Sequence, residues 1–152
     1  MFGMMKGKEV NASSDHQYTL QHILDSGVRK TQTDVGPLAS TTDSSAIIMM
    51  WNYHDVDKKN LTANVVLNIT GINATNIKVI EYRIDEHHSN AYTLWKKMGS
   101  PQTPTAKQIN ALEKAGQLQQ LDKAKSFNVT NGVLMLKTIL PEQAVSLFKL
   151  SW

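Results

Sequence analysis

No cysteine occurs among the 152 residues, which removes disulfides, thiolate zinc sites and thiol catalysis together. Nor is there an apolar run approaching the ~20 residues needed to span a bilayer. The start, MFGMMKGKEV, has no charged leader followed by a long apolar core, so it does not read as a secretory signal; a bacterial cytoplasm or periplasm is the setting it leaves open. No run of lysine or arginine exceeds a pair, so the net charge of +3 reads as solubility and not as a nucleic-acid footprint. No Gly-x-Ser-x-Gly pattern marks a nucleophile elbow. These absences exclude partners and chemistries before any motif is considered.

What is present suits one soluble globular domain, with 41% hydrophobic and 19% charged residues. Ala46 to Tyr53, AIIMMWNY, is an apolar run of strand length and predicts a buried central strand. Leu61, Ala63, Val65, Leu67 and Ile69 alternate with Thr62, Asn64 and Asn68, as a half-buried strand requires. Ile77 to Ile84 alternates as well, with Ile80, Tyr82 and Ile84 on one side. Strand-capable segments surround Val10 and run from Tyr18 to Leu24, whereas Asp34 to Ser45, rich in Gly, Pro, Ser, Thr and Asp, reads as loop or edge.

The period then changes. Ser89 is the expected N-cap of a helix from Asn90 to about Met98, stopped by Gly99 and Pro101. Thr103-Pro104 signals a second helix start, with Gly116 as its end. Strands return from Phe127, with Gly132 to Leu140 and Val145 to Trp152 separated by a Pro141-Glu142-Gln143 turn. The expected fold is therefore mainly β, an antiparallel β-sandwich with a small two-helix insertion.

Four features invite a chemical reading. Asp85-Glu86-His87-His88 gathers carboxylates and imidazoles, but adjacent histidines diverge in both helix and strand, so the expectation is no metal and no cofactor. His16, His22 and His54 are not placed near them by any pattern. Asp85 and Glu86 instead fit the approach to a helix N-terminus, where the dipole favours negative charge. Asp55 and Asp57, beside His54, suit a hairpin turn better than a cleft holding paired catalytic carboxylates. Trp51 and Tyr53 share a strand face and are the candidate ligand-binding residues, a flat surface for stacking a sugar ring; a core or interdomain contact is the plainer role. Trp95 and Trp152 take that plainer role too. Met1, Phe2, Met4 and Met5 form an apolar start too short to fold alone and are the candidate interface residues.

Five stretches carry a likeness that periodicity does not supply. They are Met1-Phe2-Gly3-Met4-Met5-Lys6-Gly7, Leu38-Ala39-Ser40, Trp51-Asn52-Tyr53-His54-Asp55, YRIDEHHSNAYTLWKKMGSPQTPT from Tyr82 to Thr105, and LPEQAVSLFKLSW from Leu140 to Trp152. In them the chain resembles the C-terminal part of glycoside hydrolase family 39 β-xylosidases, enzymes of xylan degradation. The resemblance implies that residues 1–7 are a remnant from the barrel side of a junction. Residues 8–152 would be an accessory β-sandwich with its helical insertion at about 85–121. In that family a (β/α)₈ barrel carries two glutamates, the acid/base lying in an Asn-Glu-Pro type motif. No Asn-Glu-Pro occurs here, and none of Glu9, Glu81, Glu86, Glu113 or Glu142 inherits a catalytic role by matching. The implied catalytic residues within this chain are therefore none. The implied partners are the catalytic barrel and further copies of the chain, with neither nucleic acid nor membrane. The alternative is a carbohydrate-binding β-sandwich module.

Overall fold

The run SAIIMMWNY is the middle of the molecule. In the computed structural model, which describes residues 1–29, 31–56 and 61–152, it forms β3 (Ser45–Tyr53). Ile47, Ile48, Met49 and Met50 are all buried, so side chains on both faces of this strand leave water. On its two sides lie β2 (Asp34–Thr42) and β9 (Ala144–Ser151), both antiparallel to it. The sheet continues from β9 to β5 (Asn76–Ile84), which pairs with the two-residue β6 (Gln119–Gln120) and with β7 (Lys125–Asn128). At the other end β1 (Lys8–Val10) borders β2. A second sheet has two strands, β4 (Ala63–Ile69) and β8 (Leu134–Leu140).

The sheets face each other across one core. Ile48 and Met50 of β3, Ile77 and Val79 of β5, and Ala144, Phe148 and Leu150 of β9 meet Leu134, Leu136 and Leu140 of β8. From β4, Ala63, Val65, Leu67 and Ile69 pack against the same cluster, while Asn64, Val66 and Asn68 stay exposed. The mainly β, antiparallel sandwich expected from the alternation is what forms, with α2 (Ala91–Lys97) and α3 (Ala106–Ala115) between β5 and β6.

Several local expectations need correction. Asp34 to Thr42 is a full strand, not a loop, pairing with β3 residue for residue. Its Gly36 and Pro37 are tolerated because the short β1 reaches only Ala39 to Thr41, leaving their outer edge without a partner strand. The segment near Tyr18 to Leu24 is not a strand: α1 spans Leu20–Ser26, with the Thr19 hydroxyl accepting from the His22 N–H and Gly27 closing it at φ 64°. The first insertion helix is capped by Asn90, whose side-chain Oδ1 accepts from Thr93 N–H at 3.1 Å. Ser89 instead turns at φ 54° and donates its hydroxyl to the Arg83 carbonyl. The second begins after Thr105, not Thr103, because Thr105 and Gln108 form a reciprocal capping box. Strand β8 is also shorter than expected, since Asn131 and Gly132 turn with positive φ and it starts at Leu134. Asp57 lies outside the described residues.

Candidate functional site

The motif YRIDEHHS begins on β5, and the strand's period decides what it does. Ile80, Tyr82 and Ile84 are apolar, yet they are half-buried or exposed, with Ile84 38% accessible. The buried face is the other one, which runs Ile77, Val79, Glu81, Arg83 and Asp85 and turns from apolar to charged halfway along. Arg83 is only 3% exposed. Its Nη2 donates to Glu81 Oε1 at 2.6 Å, to Thr138 Oγ1 at 3.3 Å and to the Ile139 carbonyl at 3.1 Å. Nη1 stands 3.7 Å from Asp85 Oδ2. Glu81 Oε1 also accepts from the Ser146 hydroxyl at 2.7 Å. One guanidinium thus ties β5 to β8, while Glu81 ties β5 to β9. Of the guanidinium, Nε has no hydrogen-bond partner among the described residues.

Asp85 continues the network into the loop. Its Oδ1 accepts from the backbone N–H groups of His87 and His88, both at 2.8 Å, and lies 2.8 Å from His88 Nδ1. Burial pushes this carboxyl upward, but those backbone donors and the His88 ring outweigh it and hold it below the usual 3.8. The carboxylate therefore caps the loop and not the helix, which carries no acid in its first turn. His87 points into solvent while His88 turns inward. Among the described residues no three His, Asp or Glu side chains gather as a metal shell. His16 lies against Asp15, His22 stacks on Tyr18, and His54 is buried with its Nδ1 at the Val56 backbone.

This network sets a pH dependence. The native state holds Asp85 ionised to a lower pH than the unfolded chain does. In the window just below the ordinary value, unfolding therefore takes up a proton and the stabilisation is lost as pH falls. We expect denaturant midpoints to drop below about pH 4, and less steeply for Asp85→Asn than for the parent. Parallel curves for the two proteins would contradict this role.

A shallow groove of about 450 Å³ runs beside Glu81, lined also by Asp122, Lys125, Lys137, Thr138 and Ile139. It offers two carboxylates, but a glycosidic acid needs a raised pKa. Asp122 is held down by its hydrogen bond and charge pairing with Lys125, and Glu81 is committed to Arg83 and Ser146.

Trp51 and Tyr53 end β3 on one face. The Trp51 indole N–H donates to Asp34 Oδ2 at 2.6 Å, and Asp34 Oδ1 accepts from Tyr18 N–H at 2.7 Å. The ring lies against Gly36, where a Cβ would meet Trp51 Cζ2 at 2.4 Å. Tyr53 is 45% exposed, and the Asp55 carboxylate nearby raises the phenol's pKa. Burial raises the Asp55 carboxyl, but the Val28 N–H, the Arg29 guanidinium and Tyr53 bring it below its ordinary value. The polar end of Trp51 is thus fixed by a carboxylate within the chain. Trp95 and Trp152 likewise give their N–H groups to the Pro101 and Asp43 carbonyls.

At the start, Phe2–Met4 makes a single 3₁₀ turn in which Phe2 is 71% exposed and Met1, Met4 and Met5 are half-buried. Gly7 (φ 86°) leads it onto the sheet so closely that a Cβ would strike the Thr41 carbonyl.

Sequence reasoning missed Glu81 and Arg83. The signal available was their spacing: two charges and Asp85 at alternate positions, continuing the face of Ile77 and Val79.

The model of glycosyl hydrolases family 39 matches residues 1–132. A β-xylosidase from Geobacillus stearothermophilus is 25% identical over 108 residues, covering 71% of this chain and 21% of the relative. The structure of a GH39 enzyme from Xanthomonas axonopodis pv. citri superposes with a TM-score of 0.73 at 15% identity, over 99% of this chain and 28% of the other. A monomeric β-xylosidase from Caulobacter crescentus CB15 gives 0.69 at 17% identity, over 99% and 29%. The chain therefore spans between a fifth and a third of the length of these relatives.

Proposed function

The chain belongs to glycosyl hydrolases family 39, and on that footing we propose that it is the non-catalytic accessory β-sandwich of a β-xylosidase-type enzyme. In this reading residues 8–152 form the accessory domain and residues 1–7 come from its junction with the catalytic barrel. One observation carries the proposal. A chain matched over 99% of its length to a family 39 enzyme accounts for 28% of that enzyme, and what it folds into is a sandwich. The carboxylates that it does bury serve its own packing, as Glu81 and Asp85 do around Arg83. The exposed Phe2 and its neighbours Met1, Met4 and Met5 would complete their burial against the barrel or against a second copy.

The test is hydrolysis of an aryl β-xyloside by the purified chain, with a cooperative thermal transition as proof that it is folded. Folded protein without turnover is expected; turnover above the reagent blank would overturn the reading. The binding-module alternative rests on Trp51 and Tyr53. Because the Trp51 N–H is already held by Asp34 and its ring lies against Gly36, tryptophan fluorescence should show no saturable shift with xylo-oligosaccharides. A saturable shift would reassign the domain.

A further inference from the structure

The α2–α3 hairpin buries none of its side chains fully. Tyr92 is 61% and Ile109 44% exposed. Between Ala91 and Lys125 stand six lysines against only Glu113 and Asp122, a surplus of +4, where the whole chain carries +3. The stretch from Ala91 to Lys125 thus carries a net +4, and the remainder of the chain sums to −1. Lys96, Lys97, Lys107, Lys114, Lys123 and Lys125 are all exposed. Lys125 pairs with Asp122 at 2.7 Å. Among the described residues the other five have no acidic partner. The Lys96 ammonium rests 5.3 Å from the Tyr92 ring centroid, and Tyr92 stacks on Trp95 at 5.7 Å.

We propose that this hairpin is a binding surface for an acidic polysaccharide, its lysines meeting uronic-acid carboxylates while the Tyr92–Trp95 pair offers ring surface to the sugars. The make-up of the patch selects that ligand among polyanions. The chain's two arginines, Arg29 and Arg83, both lie outside the insertion. Nucleic-acid surfaces and protein hot spots favour arginine for its planar, bidentate fork, and protein interfaces are depleted in lysine. Mobile, hydrated ammonium groups suit carboxylates spaced along a flexible chain, and exposed aromatic rings suit the C–H faces of sugars. The surface is separate from Trp51 and Tyr53, so it stands or falls independently of the accessory-domain reading.

The experiment is native affinity electrophoresis of the whole chain in gels containing glucuronoxylan, with a debranched neutral xylan as control. Retardation by glucuronoxylan alone is expected, weakening about tenfold or more between roughly 0.05 and 0.5 M salt as the charges are screened. The triple variant Lys96→Gln, Lys97→Gln, Lys114→Gln should lose the retardation. A matched variant, Lys8→Gln, Lys78→Gln, Lys149→Gln, has the same net charge and should keep it. Equal loss in both variants would reduce the effect to overall charge and overturn the proposal. Equal retardation by neutral xylan, no retardation at all, or tighter binding to duplex DNA or to an acidic protein would overturn it as well.

Discussion

Replacing Arg83 by methionine is expected to lower the unfolding free energy by about 3–5 kcal/mol, because it leaves buried carboxylates with no cation. Glu81 and Asp85 are 16% and 6% exposed, and the guanidinium is their common neighbour. Methionine keeps much of the side chain's length, so the loss reports charge and hydrogen bonding more than volume. Urea denaturation at neutral pH measures it directly. The defect should shrink in mild acid, where the stranded carboxylates can take up protons. Adding Glu81→Leu to Arg83→Met should recover part of the stability, since apolar replacement of buried ion pairs is often neutral or better. A cost below about 1 kcal/mol for the single variant, in the range of an exposed pair, would mean that the cluster does not join the sheets.

Phe148→Ala should cost about 3–5 kcal/mol through a cavity that the surrounding sheets cannot collapse to fill. Phe148 is 3% exposed on the innermost strand, with Ile48 on one side in register and Glu81 on the other. Against a total stability of roughly 5–15 kcal/mol for a domain of this kind, the variant will have a much lower midpoint with little change in m-value. An unchanged midpoint would place the ring outside the core. Phe148→Leu, which keeps most of the volume, should lose far less.

The strands that carry apolar alternation were legible because burial on one face leaves a period-two trace, as in Ala63, Val65, Leu67 and Ile69. The run through Ile47 to Met50 was legible for the opposite reason, burial on both faces. Strand β2 was not. Its composition is that of a turn, and it becomes a strand because β3 provides a full register of partners, a tertiary cause that no local window contains. Helix α1 was missed because the Thr19 cap outweighed a weakly β-like stretch. The charged motif was judged structural for a sound reason, divergent adjacent histidines, but its true partner was hidden. Nothing in RIDEHHS shows that Arg83 reaches Thr138 and Ile139, 55 and 56 residues further along. On β5 the more apolar face by sequence is the less buried one, because charges that satisfy each other can occupy the interior.

The position of β9 has a consequence for how the molecule comes into being. In chain order β9 follows every other strand of the fold, yet it is the one inserted between β3 and β5. Until Ala144 to Ser151 emerges from the ribosome, the two halves of the large sheet have no hydrogen-bonded connection, and β3 and β5 each present a bare edge. The large sheet can close only once β9 has emerged, and until then the nascent chain holds its stickiest strand, Ile47 to Met50, open to neighbours. Chaperone demand during synthesis should accordingly fall once Ala144 to Ser151 is free to pair.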